Sequence, residues 1–215
     1  MRITKFVHSC ILIEHDEKTI LIDPGKFSWD SGLFNPSDFN NIDEIVITHE
    51  HFDHCYPQFI QTVISAFPKV KIVTNEGVKK KLQSDGIVDN ITTNSTNFTV
   101  LSPLMHDSMA PLSPDPQAEN VSAHVLGLVS HPGDSVHLTE SRNILCMPLA
   151  GPWGSAIEAI RMVSNLGPHA VIPIHDWMWN EEWRNTMYDR MEDFFKGRGI
   201  IFYKPVDGQT FEVSV

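Results

Sequence analysis

The sequence predicts an α/β fold with its chemistry gathered at strand ends. Two observations carry this prediction. Short runs of β-branched and aliphatic residues alternate with longer stretches of helical periodicity, and several of those runs stop at a histidine or an aspartate. The halves before and after about residue 95 each run strands and then helix, an alternation that suits layered α/β architecture. At 215 residues, 41% apolar and 20% charged, the chain reads as one globular domain, residues 1–215, with room for a substantial core.

Taken in order, residues 3–7, 10–14 and 19–23 read as short strands, the last two joined by the polar turn 14–18. Residues 26–42 are rich in Asn, Ser, Phe and Trp and read as a long loop rimming the site. Residues 45–48 are β-branched throughout and read as a buried strand. A helix is expected over residues 54–66, with Asp53 as its N-cap and Pro68 as its stop. Residues 70–74 follow as a strand, Asn75 caps a basic helix over 76–83, and residues 87–97 read as a strand and a turn. Residues 98–106 and 120–126 read as strands, separated by a proline-rich loop over 109–119 that could serve as a lid. An apolar strand starting at Leu128 ends in Gly133-Asp134, and residues 143–147 form a further strand. Residues 155–166 have helical periodicity, stopped by Gly167-Pro168. Residues 170–174 are a buried strand and 181–196 an amphipathic helix capped by Asn180. Residues 200–204 and 210–213 read as a closing strand pair around Asp207-Gly208.

The loop after residue 48 reads His49-Glu50-His51-Phe52-Asp53-His54. Imidazole and carboxylate are the ligands of zinc, manganese, iron and nickel. Residues two apart in an extended loop point the same way, so His49 and His51 suit one ion and Asp53 and His54 a second. The helical zinc-protease spacing is absent, because the residue four after His49 is Asp53. A net charge of −11, from 16 basic and 27 acidic residues, argues against a nucleic acid polymer as partner. Cys10, Cys55 and Cys146 form no Cys-x-x-Cys pair and read as reduced thiols of a cytoplasmic protein. Cys55, beside the ligand loop, is either a further ligand or a small buried residue. Met1 leads straight into a strand pattern without a signal peptide, and no apolar run is long enough to span a membrane. The expected partners are a small-molecule substrate and, at most, further copies of the chain.

Thr48-His49-Glu50-His51-Phe52-Asp53-His54 resembles the H-x-H-x-D-H signature of the metallo-β-lactamase fold superfamily. The resemblance extends over nearly the whole chain. It implies an αββα four-layer sandwich, two sheets facing each other with helices outside. The segment Val7-His8-Ser9 is similar to the opening of the ascorbate-6-phosphate lactonase-like branch, with Val7 where that branch has Gly. His8 would then touch a ligand or the substrate; otherwise it is a histidine hydrogen-bonded at a strand end. Asp23, in Leu21-Ile22-Asp23-Pro24-Gly25, looks like the superfamily's first-motif aspartate. Such a carboxylate accepts a hydrogen bond from a liganding histidine and fixes its ring; the alternative is an aspartate capping a turn.

The resemblance also implies His106 as the third histidine beside His49 and His51. His124, inside its strand rather than at the end, is the rival, or else a contact of a ligand or the substrate. Asp134, in Gly133-Asp134-Ser135, would bridge two ions, and His175 would complete the ion held by Asp53 and His54. His131 would support a ligand rather than be one. Trp153 either lines the pocket or packs on the helix that follows, and Trp177 and Trp179 form an apolar wall or belong to the core. The implied chemistry is hydrolysis by hydroxide activated between two divalent ions, zinc or manganese first, with iron or nickel admitted by the ligand types. On that resemblance Asp53 and Asp134 would be the catalytic carboxylates, with Asp53 helping to move the proton. The substrate would be a small ester, lactone or phosphoester, although isolated residues such as Arg142 and Arg161 make no phosphate cradle. A phosphodiesterase or nuclease acting on small nucleotides, and a non-hydrolytic sensor or redox scaffold holding iron, are the alternatives. There is no room for the additional domain that nuclease branches insert, and β-lactam hydrolysis is not expected without a secretory signal.

Overall fold

The computed structural model describes residues 1–108 and 118–214. The chain opens as an antiparallel meander of β1 (Arg2–Lys5), β2 (Ile11–His15) and β3 (Lys18–Ile22). Asp16 and Glu17 turn its second hairpin with φ of 47° and 61°, the left-handed backbone that matches strand twist. Helix α1 (Lys26–Ser31) and a 3-10 turn (Pro36–Asp38) follow, where the sequence predicts only a loop. Six residues are too few to display a helical period. Tertiary contacts hold the helix instead: the Ser28 hydroxyl donates to the Val7 carbonyl at 2.6 Å, and Trp29 packs on Phe59.

Next come β4 (Glu44–Val46), α2 (Pro57–Ala66), β5 (Lys71–Val73), α3 (Glu76–Ser84) and β6 (Ile91–Thr92), a parallel series with helical crossovers. Asp53 does not cap α2. The helix starts at Pro57, whose missing N–H suits a first-turn position, with Tyr56 as cap, so Asp53 stays in the loop.

The second half repeats the plan. β7 (Thr99–Pro103), β8 (Val121–Val125) and β9 (Val129–His131) are antiparallel. β10 (Ile144–Pro148) lies parallel to β9, and the small hairpin of β11 (Ala150–Gly151) and β12 (Gly154–Ser155) follows it. Then come α4 (Ala156–Leu166), β13 (Ala170–Ile174), α5 (Glu181–Lys196), β14 (Ile201–Phe202) and β15 (Thr210–Glu212).

The last two strands do not pair with each other. β14 extends one sheet beside β13, and β15 pairs with β1 in the other. Asp207, in the connection, is held by Lys5 Nζ and Arg184, each at 2.8 Å, and the Gly208 N–H donates to the Lys5 carbonyl. These bonds carry the chain from one sheet to the other.

The sheets are ordered β15-β1-β2-β3-β4-β5-β6 and β14-β13-β10-β9-β8-β7. The alternation of side chains along each strand builds four layers. Ile20, Ile22 and Val46 point inward and meet Ala123, Val125, Ile144 and Ile172 of the second sheet. Leu21, Ile45 and Ile47 point outward onto Phe59, Ile60, Val63, Val78 and Leu82 of α2 and α3. On the far side, Leu145, Met147 and Val171 meet Met162, Val163, Met191 and Phe195 of α4 and α5. The parallel strands are covered on both faces, so they read as continuous apolar runs. Among the described residues no helix is long and apolar enough to cross a membrane.

Candidate metal centre

The candidate side chains lie just beyond the C-terminal ends of β1, β4, β7, β9 and β13, where an open α/β edge places its site. They form two groups able to hold a metal ion, His49, His51, His106 and Asp134 in one, and His8, Asp53, His54 and His175 in the other. Asp134 stands between them. Its Oδ2 is 3.6 Å from Nε2 of both His49 and His106, and its Oδ1 is 3.0 Å from His54 Nε2 and 3.3 Å from His175 Nε2. Each carboxylate oxygen thus addresses one group. Asp53 Oδ2 lies 3.2 Å from His8 Nε2, 3.8 Å from His175 Nε2 and 4.0 Å from His54 Nε2.

The ring orientations are fixed from outside. Nδ1 of His54 meets Asp23 Oδ2 at 2.7 Å, Nδ1 of His49 meets the Thr48 hydroxyl at 3.0 Å, and Nδ1 of His106 meets the Asp107 carbonyl at 2.7 Å. Nδ1 of His175 meets the Ala150 carbonyl. Each contact engages Nδ1 and leaves Nε2 as the ring atom aimed inward. The Nε2 atoms of His49, His54, His106 and His175, together with Asp134 Oδ1, are buried without a hydrogen-bond partner. Buried polar atoms without partners are costly and rare. Here several converge, and all are good donors to a divalent cation, so the residues fit a metal pair.

Backbone strain gathers at the same place. His8, Asp23 and His175 all sit at positive φ, 63°, 49° and 57°, a conformation non-glycine residues adopt rarely and at functional sites. Two glycines permit the close packing. A Cβ on Gly25 would lie 1.6 Å from the Asp53 carbonyl oxygen, and one on Gly133 (φ +61°) 2.0 Å from Asn120 Oδ1.

The electrostatics favour added positive charge. Burial works to raise the Asp53 carboxyl, but His54 and His8 outweigh it and hold it below its ordinary value. Asp134 is buried too, and His175, His54 and His49 hold it well below the usual carboxylate range. His54 and His175 are raised, burial opposing and the carboxylates prevailing, Asp134 foremost. His49 is held well below its ordinary value by burial and the His54 ring, and His8 is pushed down to about 4 by burial and the His175 ring. Carboxylates thus stay ionised in a dry site and draw protons onto two histidines, the places a cation would take.

Asp23 accepts from the Thr48 N–H and hydroxyl, each at 2.8 Å, and from His54. It therefore touches the supports of both groups. His106 joins His49 and His51; its rival His124 does not. His124 points away along β8, its Nδ1 2.9 Å from the Ser130 hydroxyl and its Nε2 3.6 Å from Glu140, and contacts no member of either group. Nor is Cys55 among the candidate ligands. It is buried with Phe59 and Ile60, its thiol pushed up to about 12. His131 lies behind the site, its Nε2 on the Ser9 carbonyl.

Of the tryptophans, Trp153 sits over both groups, its ring centroid 5.1 Å from His175 and 6.4 Å from His106. Trp179 packs into the core beside α5. Trp177 is half-exposed and stacks on Phe27 at 4.0 Å. Phe27, within the stretch that the sequence predicts as a loop, meets the His8 ring edge-on at 5.1 Å; its place four residues after Asp23 is the signal for it in the sequence. His8 is the second surprise, since it stands among the candidate ligands themselves rather than behind them. Most of the candidate lid, residues 109–117, lies outside the described residues.

An αββα sandwich with paired histidine–aspartate groups at its strand ends is a protein of the metallo-β-lactamase fold. The family model for the beta-lactamase superfamily domain matches residues 2–175, and the chain belongs to that family. Protein Rv0786c of Mycobacterium tuberculosis is 25% identical over 201 residues, 90% of this chain and 92% of its own. A Parabacteroides distasonis protein provisionally named a metal-dependent hydrolase superposes with a TM-score of 0.68 at 22% identity, over 94% of this chain and 90% of its own. The isothiocyanate hydrolase from Delia radicum gut bacteria gives a TM-score of 0.68 at 17% identity, over 100% of each chain. At such identities these two likenesses establish the fold.

Proposed function

We propose that the protein is a metal-dependent hydrolase of small esters, lactones or phosphoesters, acting through two divalent ions. The observation that carries this is the convergence of buried, unpartnered Nε2 atoms around the two-sided carboxylate of Asp134. His49, His51 and His106 would hold one ion, Asp53, His54 and His175 the other, and Asp134 would serve both. The donor set suits zinc or manganese first, and also iron or nickel. Ions held there would supply Lewis acidity toward water and toward the electrophile.

The chain's own groups then have distinct tasks. The Asp53 side chain is 14% exposed while Asp134 and the histidines His8, His49, His54, His106 and His175 are at most 3%, so Asp53 is the carboxylate that meets solvent and the natural proton carrier. His8 braces one of its oxygens. Trp153 screens His106 and His175 from water, which strengthens every charge interaction beneath it. The likeness of the His8 segment to the lactonase branch puts lactones first in a screen, and the isothiocyanate hydrolase neighbour adds isothiocyanates, which are also attacked at carbon. The three free, buried cysteines support a reducing, cytoplasmic setting.

The test is elemental analysis of wild type beside Asp134→Ala, followed by a screen of lactones, esters, thioesters, phosphodiesters and isothiocyanates. About two metals per chain in wild type, sharply fewer in the variant, and turnover of at least one class are expected. A wild type that stays metal-poor after reconstitution with zinc, manganese and iron refutes the reading. Bound iron with colour and no turnover would point to a redox scaffold instead.

A further inference from the structure

The rim beside the second group is aromatic and apolar. Trp177 and Phe27 stack nearly flat, 4.0 Å apart and 6° from parallel, and Phe52 meets Phe27 at 5.6 Å. Phe52 and Trp177 are 55% and 50% exposed, and Met178, next after Trp177 in the chain, is 55% exposed. Large aromatic residues left half in water on either side of a shared ring, Phe27, are unusual away from a binding surface. This rim adjoins the chemistry directly, because Phe27 lies against the His8 ring and Phe52 falls between His51 and Asp53 in the chain.

Charge tells the same story. Among the described residues no lysine or arginine pairs with any member of the two groups. Lys5 is taken by Asp176 and Asp207, Lys26 by Asp30, Arg142 by Glu140 and Arg184 by Asp207. A phosphate or carboxylate on the substrate, away from the ions, would meet no cation that pairs with either group, and Lys26, the lysine next to Phe27, is already engaged by Asp30, whereas an apolar arm would meet the exposed rings of Phe52 and Trp177.

We propose that the substrate is uncharged and carries a flat apolar arm, which lies along Trp177 while its electrophile reaches the two groups; this rests on the hydrolase reading above. The stack of Trp177 on Phe27 supplies a rigid face at little entropic loss, and Phe52 adjoins it through Phe27. Of the substrate classes proposed, this selects aryl- or acyl-substituted esters, lactones and isothiocyanates over phosphoesters.

Binding without turnover tests it. The zinc-loaded protein is titrated calorimetrically with acetohydroxamate, benzohydroxamate and phosphonoacetohydroxamate. All three carry the same metal-gripping head, so affinity ratios cancel how well the ions are held. Benzohydroxamate is expected to bind about tenfold or more tighter than acetohydroxamate, the scale of burying one aromatic ring, and phosphonoacetohydroxamate no tighter than acetohydroxamate. Trp177→Ala should shrink the benzo-to-aceto ratio to about threefold or less, while Trp183→Ala, exposed on α5, leaves it unchanged. If Trp177→Ala does not fold, Trp177→Leu, apolar but without the flat face, replaces it. Equal affinities in wild type, a ratio indifferent to Trp177, a preference for the phosphonate, or no hydroxamate binding at all each overturn the proposal. A protein that shows the ratio but hydrolyses nothing in the screen keeps the apolar wall and loses the hydrolase reading, so the two failures are distinguishable.

Discussion

Lys5→Met should be among the most damaging single substitutions outside the metal centre. The Lys5 and Asp176 side chains are both fully buried, with Nζ 2.9 Å from Asp176 Oδ1 and 2.8 Å from Asp207 Oδ1. Asp176 also accepts from the Tyr188 hydroxyl. Methionine keeps the apolar stem but strips the charge, leaving an ionised carboxylate in the core with one neutral donor. Breaking a buried pair from one side costs about 3–5 kcal/mol. For a chain of this size that corresponds to a fall in Tm of about 6–20 °C. Asp176→Asn should cost less, because Lys5 keeps Asp207 and the new amide still accepts from Tyr188. The decisive variant is the double, Lys5→Met with Asp176→Asn, which leaves no unpaired charge, since Asp207 retains Arg184 at 2.8 Å. It should be more stable than Lys5→Met alone, with a coupling of about 2 kcal/mol. Thermal unfolding in chelator, with metal removed from all four proteins, reads this directly. Additive losses would refute the reasoning, because the two charges would then not depend on each other.

Asp23→Asn should weaken metal binding by about 10–100-fold while leaving the chain folded, because it loosens the Thr48 and His54 contacts behind the groups; competition with a chromophoric chelator measures it. His124→Gln should leave metal content unchanged, its ring being held by Ser130 away from both groups. Gly133→Ala should lose about 1–3 kcal/mol and most bound metal, since its Cβ would meet Asn120 Oδ1 at 2.0 Å and push the Asp134 loop. Zinc uptake near pH 7 should release protons, because His54 and His175 are raised above their ordinary value and must give up protons to bind. Affinity should therefore fall as pH falls, and calorimetry in buffers of different ionisation enthalpy counts the protons.

The strands that lead to candidate ligands are legible because burial on both faces makes them continuous apolar runs, and the residue type changes abruptly where each run ends, at Thr48-His49 and at Ile174-His175. The same contrast separates His106, which the structure groups with His49 and His51, from His124. Both lie in strand-like segments, but His106 lies beyond β7 whereas His124 is fixed within β8 by its pairing with Val100. What escaped was set by contacts distant in sequence. Helix α1 has no period to display, and only Ser28 on Val7 and Trp29 on Phe59 hold it. The last two strands read as a hairpin because turn chemistry at Asp207-Gly208 is local. Their separation depends on Lys5 and Arg184, which no local pattern reveals. The nearness of His8 to His175 is of the same kind, a contact between the first and second sheets, with the His175 N–H donating to the His8 carbonyl at 3.2 Å.

That last contact bears on why the strain is tolerated. His8, Asp23 and His175 each hold a left-handed backbone, and each is tied to a neighbour from another part of the chain. His8 and His175 bond to each other across the sheets, and the Asp23 N–H donates to the Val46 carbonyl while its carboxylate takes three donors from the ligand loop. A strained residue persists only where its surroundings over-determine it. Here the ties that fix the backbone are also the ties that aim His54 through Asp23 and His49 through Thr48. The two groups are therefore not independent: a change at Asp23 reaches both, through a hydroxyl on one side and an imidazole on the other. If the ions act as a pair, loss of Asp23 should lower occupancy at both positions together, whereas loss of His51, which shares no such tie, should empty chiefly its own.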